Sequence, residues 1–189
     1  MVMARSKQYN EQEVVEKAMF LFWLKGYENT SVRMLEKEMG INQFSIYASF
    51  GSKQGVFLES LKCYKSKVNS MFDKLKNANN GVNDIKEFFS DSIKITAEIG
   101  NQKGCLLTNT YNEFVGGKDE NIRAQMNVLM SNLKELFIEK LRIDKLKDEE
   151  TVLKQANYLL LAKHGLAAAS RVNNKQEIED YIELTFKNL

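Results

Sequence analysis

The sequence predicts an all-α fold of nine helices, an N-terminal three-helix head joined to a larger C-terminal helical bundle. Three observations carry that expectation. None of the 189 residues is proline, against an ordinary usage of about 5%, and long helices exclude proline because it removes a donor and clashes with the preceding turn. The ten glycines mostly fall between periodic segments. Within those segments apolar residues recur at three- and four-residue spacing, the pattern of amphipathic helices.

The first seven residues hold Arg5 and Lys7 without apolar periodicity and read as a flexible arm. Asn10 opens the first helix, with Glu13 placed for a capping box; its stripe is Val14, Ala18, Leu21 and Phe22, with Trp23 beside it, and Gly26 stops it. Ser31 caps a short second helix, Val32 to Met39, ended by Gly40. Asn42 caps a third, Gln43 to about Phe50. After Gly51-Ser52 a long fourth helix carries Phe57, Leu61, Tyr64, Val68, Met71 or Phe72, and Leu75, and ends in the Asn77–Gly81 cluster. Ile85, Phe88, Phe89, Ser92, Ile93 and Ile99 mark a fifth, stopped by Gly100. Cys105 to Val115 is the sixth, closed by Gly116-Gly117. Ile122, Met126, Leu129, Leu133, Leu136 and Phe137 mark the seventh. Residues 148–172 and 175–188 form the last two. The eighth is apolar on nearly every side between Ala156 and Ala169, so it needs cover on every side, from its own domain or from a partner subunit meeting the small Gly165–Ala169 run.

Length allows one domain, or a small one fused to a larger one, with a core that needs no disulfide or metal. Two cysteines and one histidine argue against a disulfide scaffold and a zinc site; no cofactor is expected. No apolar run approaches the ~18 residues of a membrane span, and the N-terminus lacks the apolar stretch of a signal peptide, so a cytoplasmic protein without a membrane partner is expected. Without a secretory signal the Asn29-Thr30-Ser31 sequon has no meaning. The net charge is +2, but residues 1–67 hold ten Lys/Arg against seven Asp/Glu and the remainder seventeen against eighteen. The N-terminal end is therefore the one suited to a polyanion.

Residues 31–50 have the layout of a helix-turn-helix, in which the second helix enters the DNA major groove. Ile41, Ile46 and Phe50 face in, while Gln43, Ser45 and Ser49 face out without a charge that repels phosphate. Many helix pairs in bundles share that spacing.

From Ala18 to Tyr64 the sequence resembles the DNA-binding domain of TetR-family transcriptional regulators. The matching residues are Ala18, Leu21, Phe22, Gly26-Tyr27, Thr30-Ser31-Val32, Leu35, Gly40-Ile41, Ser45-Ile46-Tyr47, Phe50-Gly51-Ser52-Lys53, Gly55, Phe57, Leu61 and Tyr64. The resemblance implies a domain of residues 1–50, completed by the fourth helix to about 65, and a ligand-binding and dimerisation domain over 51–189. It implies phosphate contacts from Ser31, Arg33, Tyr47 and Lys53, the last helped by free helix amides. Gln43, Phe44, Ser45, Ala48 and Ser49 take positions facing base edges, where glutamine pairs with adenine and an aromatic or alanine side chain touches a thymine methyl. Phe44 in place of a small residue, Ser49 in place of an aromatic and Met34 in place of an acid depart from the family pattern and leave the operator sequence open. Packing against the first helix is the competing role for Phe44 and Tyr47.

By the same resemblance the partners are double-stranded operator DNA, a second copy of the chain and a small-molecule inducer. Pocket candidates are Phe88, Phe89, Cys105, Thr108, Asn109, Tyr111, Asn112, Met126, Met130, Phe137 and Tyr158, with Phe114 and Glu113 nearby; the same aromatics would serve an ordinary core. Interface candidates are Leu159, Leu166, Ala169 and Tyr181. Gly104-Cys105-Leu106 resembles a segment through which some relatives sense electrophiles or oxidants. A thiol at a helix N-terminus with Lys103 beside it is suited to that, and inert packing is the competing role. Cys63 has no such context. His164 is expected in the core or an interface. An enzyme using Cys105 with His164 lacks an orienting third group and oxyanion donors, so the expected function is a repressor released by an inducer.

Overall fold

The computed structural model describes residues 9–99, 104–116, 119–187 and 189. Arg5, Lys7, Gly100, Lys103 and Gly117 lie outside the described residues. Among the described residues there are nine helices and no strand: α1 Glu11–Lys25, α2 Val32–Met39, α3 Gln43–Phe50, α4 Lys53–Asn77, α5 Val82–Glu98, α6 Leu106–Phe114, α7 Glu120–Leu141, α8 Glu149–Ala169 and α9 Lys175–Phe186. The chain divides into two compact units, one ending at Ser66 and one beginning at Lys67, so the boundary falls inside α4.

In the first unit, local chemistry sets the helix ends. The Asn10 side chain accepts from the Gln12 and Glu13 amides. Glu13 answers through the Asn10 side-chain amide at 3.2 Å, which makes the contact a variant of the capping box expected. Gly26 at φ 80° closes α1 and Gly40 at φ 70° closes α2; both positive φ values suit a residue without Cβ. Val14, Ala18, Met19, Leu21, Phe22 and Trp23 are buried from α1, and α2 adds Leu35 and Met39. Aromatic contacts bring in α4: Phe22 meets Phe57 at 4.8 Å and Trp23 meets Tyr64 at 4.9 Å between ring centroids.

The second unit is built by α7 and α8 with α5, α6 and α9 around them. Its centre is a run of rings. Phe88 lies 5.2 Å from Phe72 and 6.0 Å from Phe137, and Phe89 lies 6.2 Å from Phe137 and 5.0 Å from Phe186. Buried Lys140 donates to the Lys76 and Ala78 carbonyls at 3.1 and 2.7 Å, closing the end of α4, where helix carbonyls lack partners. Of the expected stripes, Ile93, Ile99, Leu129 and Leu136 are only half-buried, and Thr96 and Met130 take inward positions instead.

α8 departs from the expectation most. Leu159 and Leu166, expected at a dimer interface, are fully buried inside their own unit and offer no surface to a second copy. Their helical register places them with Val152, Ala156 and Ala162, also buried. Leu153, Tyr158 and Leu161 face outward instead, with Leu161 at 69% exposure. Tyr158 therefore does not line an interior pocket. At Gly165 the chain's own α9 comes close: a Cβ there would stand 3.1 Å from the Tyr181 hydroxyl, which donates to the Ala162 carbonyl at 2.9 Å. Ala169, the remaining interface candidate, is half-buried.

Candidate nucleic-acid interface

α3 is held by an apolar inner side and two acceptors at its N-terminus. Ile46 is fully buried and Ile41, in the turn, nearly so. The Asn42 side chain accepts from the Ser45 amide at 2.8 Å. Glu36, from α2, accepts from the Gln43 amide at 3.1 Å, so the first turn of α3 is anchored from both its own cap and the preceding helix. Sequence reasoning missed Glu36, because its partner lies seven residues away across the turn. Phe50 is half-buried.

The outer side of α3 is open. Phe44 is 82% exposed and Tyr47 43%, so neither ring is used up by packing against α1. Gln43 and Ala48 are exposed and Ser45 half-buried. The Gln43 side-chain amide approaches the Tyr47 hydroxyl at 3.5 Å. Half-buried Ser49 is engaged within the chain, its hydroxyl 2.7 Å from that of Tyr9; this contact ties the residues before α1 to α3.

Of the four residues expected at phosphates, Tyr47 lies on this face and Ser31, Arg33 and Lys53 flank it in sequence. Ser31 caps α2 by accepting from the Met34 amide at 3.2 Å, and Arg33, in the first turn, is exposed. Lys53 opens α4 with its ammonium 4.2 Å from the Tyr27 ring centroid, a cation–π placement that aims a long side chain. Ser52 takes up the Gly55 amide at 3.0 Å. The path from α3 into α4 is tight: a Cβ on Gly55 would lie 1.8 Å from the Phe50 carbonyl oxygen.

In the second unit, the structure distributes the pocket candidates rather than gathering them. Tyr111 and Met126 line a cavity of about 130 Å³ with Arg123 and Asn127. Met130 Sδ lies 3.4 Å from His164 Nε2, and the His164 ring is 5.4 Å from that of Tyr111. Phe88, Phe89 and Phe137 pack on one another as described. Thr108 and Phe114 are buried, Asn109 and Glu113 half-buried, and Asn112 faces solvent.

Half-buried Cys105 is the N-cap residue of α6 and its thiol makes no capping hydrogen bond. Buried Lys163 stands close enough to interact with it. Burial pushes the Lys163 ammonium below the ordinary lysine value, and the Cys105 charge pulls it back up. Lys163 also lies about 6 Å from the Phe88 and Phe89 rings. Nothing in the local sequence signals this buried lysine, since α8 is too uniformly apolar to give an inward direction. Among the described residues no three His, Cys, Asp or Glu side chains are grouped to hold a metal ion, and no helix is long and apolar enough to cross a membrane.

Comparison with known proteins agrees with this architecture. Residues 14–60, which contain α1 to α3 and the start of α4, match the family model described as bacterial regulatory proteins, tetR family. The chain is 26% identical over 114 residues to the uncharacterized HTH-type transcriptional regulator YezE of Bacillus subtilis, covering 60% of this chain and 59% of that protein. It is 27% identical over 124 residues to IcaR of Staphylococcus aureus, the negative transcriptional regulator of the biofilm operon icaADBC, covering 65% and 64%. The match thus spans about three-fifths of the length of these relatives. In fold, the chain is similar to a cysteine mutant of the TetR family regulator CifR complexed with 26-bp double-strand operator DNA (TM-score 0.83, 22% identity, 98% of this chain and 99% of that one). It is also similar to a TetR transcriptional regulator from Legionella pneumophila (TM-score 0.78, 17% identity, 97% and 98%). Residues 14–60 therefore match a tetR-family head, and the chain as a whole shares the all-α fold of TetR-family regulators.

Proposed function

We propose that the protein is a dimeric DNA-binding transcriptional repressor, released from its operator by a small-molecule inducer. The observation that carries this reading is the outer face of α3. Phe44 and Tyr47 stand exposed beside uncharged Gln43 and Ala48 on a helix anchored at its N-terminus. A helix presented in this way enters a major groove with its first residues on base edges. Arg33, Ser31, Tyr47 and Lys53 would hold the phosphates on either side. The operator complex of CifR and the negative regulation by IcaR support the same reading for a relative of this architecture.

Dimerisation is proposed through α8 and α9, where Leu153, Leu161 and Leu184 are exposed. Two heads would then read half-sites about 34–36 Å apart. An inducer that binds better to a conformation with the wrong head spacing shifts the population away from DNA.

The test is fluorescence anisotropy with the duplex upstream of the protein's own gene. Tight binding that weakens steeply with salt is expected, because neutralised phosphates release counterions. Arg33→Ala with Tyr47→Ala should weaken it, and removal of the Arg33 contact should lower the salt slope by about one. Operator binding by that double variant as tight as wild type overturns the assignment.

A second reading concerns the signal: Cys105 as a thiol sensor of electrophiles. It is favoured by the place of half-buried Cys105 as the N-cap residue of α6, with buried Lys163 near it. In the same assay a quinone should release wild type and not Cys105→Ser. Equal release, or none, assigns Cys105 a packing role.

A further inference from the structure

We propose that the groove between α5 and the beginning of α9 binds a small amphipathic anion, an aliphatic carboxylate of medium chain length. The groove encloses about 850 Å³, within the range of small-molecule sites. Its floor is aliphatic: Ile178 and Ile182 are 5% and 6% exposed and Ile93 is half-buried. Its charged lining is one-sided, with Lys94, Arg171 and Lys175 against Glu179. An apolar floor under a cationic rim fits a ligand with a hydrocarbon tail and a single negative head.

The arginine is placed by backbone geometry. Gly104 has φ +74°, and a Cβ there would stand 2.3 Å from the Ala167 carbonyl oxygen and 3.2 Å from Cγ of Arg171. The missing Cβ lets the Arg171 stem lie against the chain at the end of α8. A guanidinium offers a planar fork that pairs with both oxygens of a carboxylate. Lys175 lies 3.5 Å from Glu179 and Lys94 3.8 Å from Asp91, with both lysine side chains exposed. Such pairs are worth little, so an entering carboxylate exchanges them at small cost. Each methylene seated on the isoleucine floor adds up to roughly fourfold in affinity.

This site stands independently of DNA binding, and its test uses none. Sodium decanoate, below its micelle concentration, is titrated into the full chain by isothermal calorimetry, with decanol and decyltrimethylammonium in parallel. Decanoate is expected to bind one per chain, decanol more weakly and the cationic detergent not at all. Arg171→Glu should weaken decanoate by about tenfold or more, the loss of a charge-assisted contact. Lys145→Glu, an exposed lysine outside the groove, should leave it unchanged. Ile93→Asp should weaken all tail binding, with unchanged thermal melting certifying the fold of each variant. No decanoate binding, equal binding of the cationic detergent, or Arg171→Glu binding like wild type overturns the site.

Discussion

The Glu36 carboxylate accepts from the Gln43 backbone amide at 3.1 Å, so α2, the first helix of the helix-turn-helix, holds the first amide of α3. The charge also sits at the positive end of the α3 dipole, where an anion is favoured. Replacing Glu36 with alanine removes both effects and leaves the Asn42 cap as the remaining anchor of that turn. We expect a stability loss of about 1 kcal/mol and a larger fall in operator affinity, because α3 loses part of what fixes its angle. Glu36→Gln keeps an acceptor and should recover most of the affinity. Thermal melting and anisotropy on the same preparations separate the two effects.

Gly55 is required by a distance rather than by a dihedral. A Cβ at this position would fall 1.8 Å from the Phe50 carbonyl oxygen, and that atom is backbone, unable to swing aside. Gly55→Ala must therefore push α3 away from α4, at a cost of about 3 kcal/mol. A chemical denaturation curve should show a lower midpoint for this variant, and operator binding should fail at temperatures where the protein remains folded.

Whatever depended on neighbours along the chain was legible in the sequence. Asn10, Ser31 and Asn42 cap the helices they precede, and Gly26 and Gly40 close the helices they follow, because caps are contacts over two to four residues. Contacts across turns or between helices were not legible: Glu36 with Gln43, Lys53 over Tyr27 and Lys163 near Cys105. α8 shows the reason most directly. A helix apolar on all sides has no stripe to say which leucines turn inward, so its sequence does not tell buried Leu159 and Leu166 from exposed Leu153 and Leu161.

That open face gives the proposed dimer its test. Leu161 is 69% exposed and Leu184 64%, so a charge at either should leave the isolated chain's own core intact. If α8 and α9 form the interface, Leu161→Glu and Leu184→Glu bury an unpaired carboxylate between subunits. Light scattering should then find monomers where wild type is dimeric, with operator affinity falling as the two heads separate. Dimers of unchanged mass in both variants would move the interface elsewhere.

His164 should make the second unit sensitive to acid. Burial, then the neighbouring Lys163 charge, holds its imidazole below the ordinary histidine value of 6.5. The unfolded chain, titrating near that ordinary value, therefore binds more protons than the folded chain just below it. Stability is then complete above pH 6.5 and is lost as pH falls through the lower folded value. The contact of Nε2 with Met130 Sδ persists on protonation, because a thioether sulfur only accepts and both ring nitrogens are then donors. Asp148 and Glu149, held low by the Thr151 amide and by Arg142, lose stability in acid as well, but equally in a protein lacking the histidine. His164→Gln should thus melt with a shallower dependence on pH than wild type between pH 7 and the acid range. Melting curves that stay parallel across that window would place the acid response of this protein in other groups.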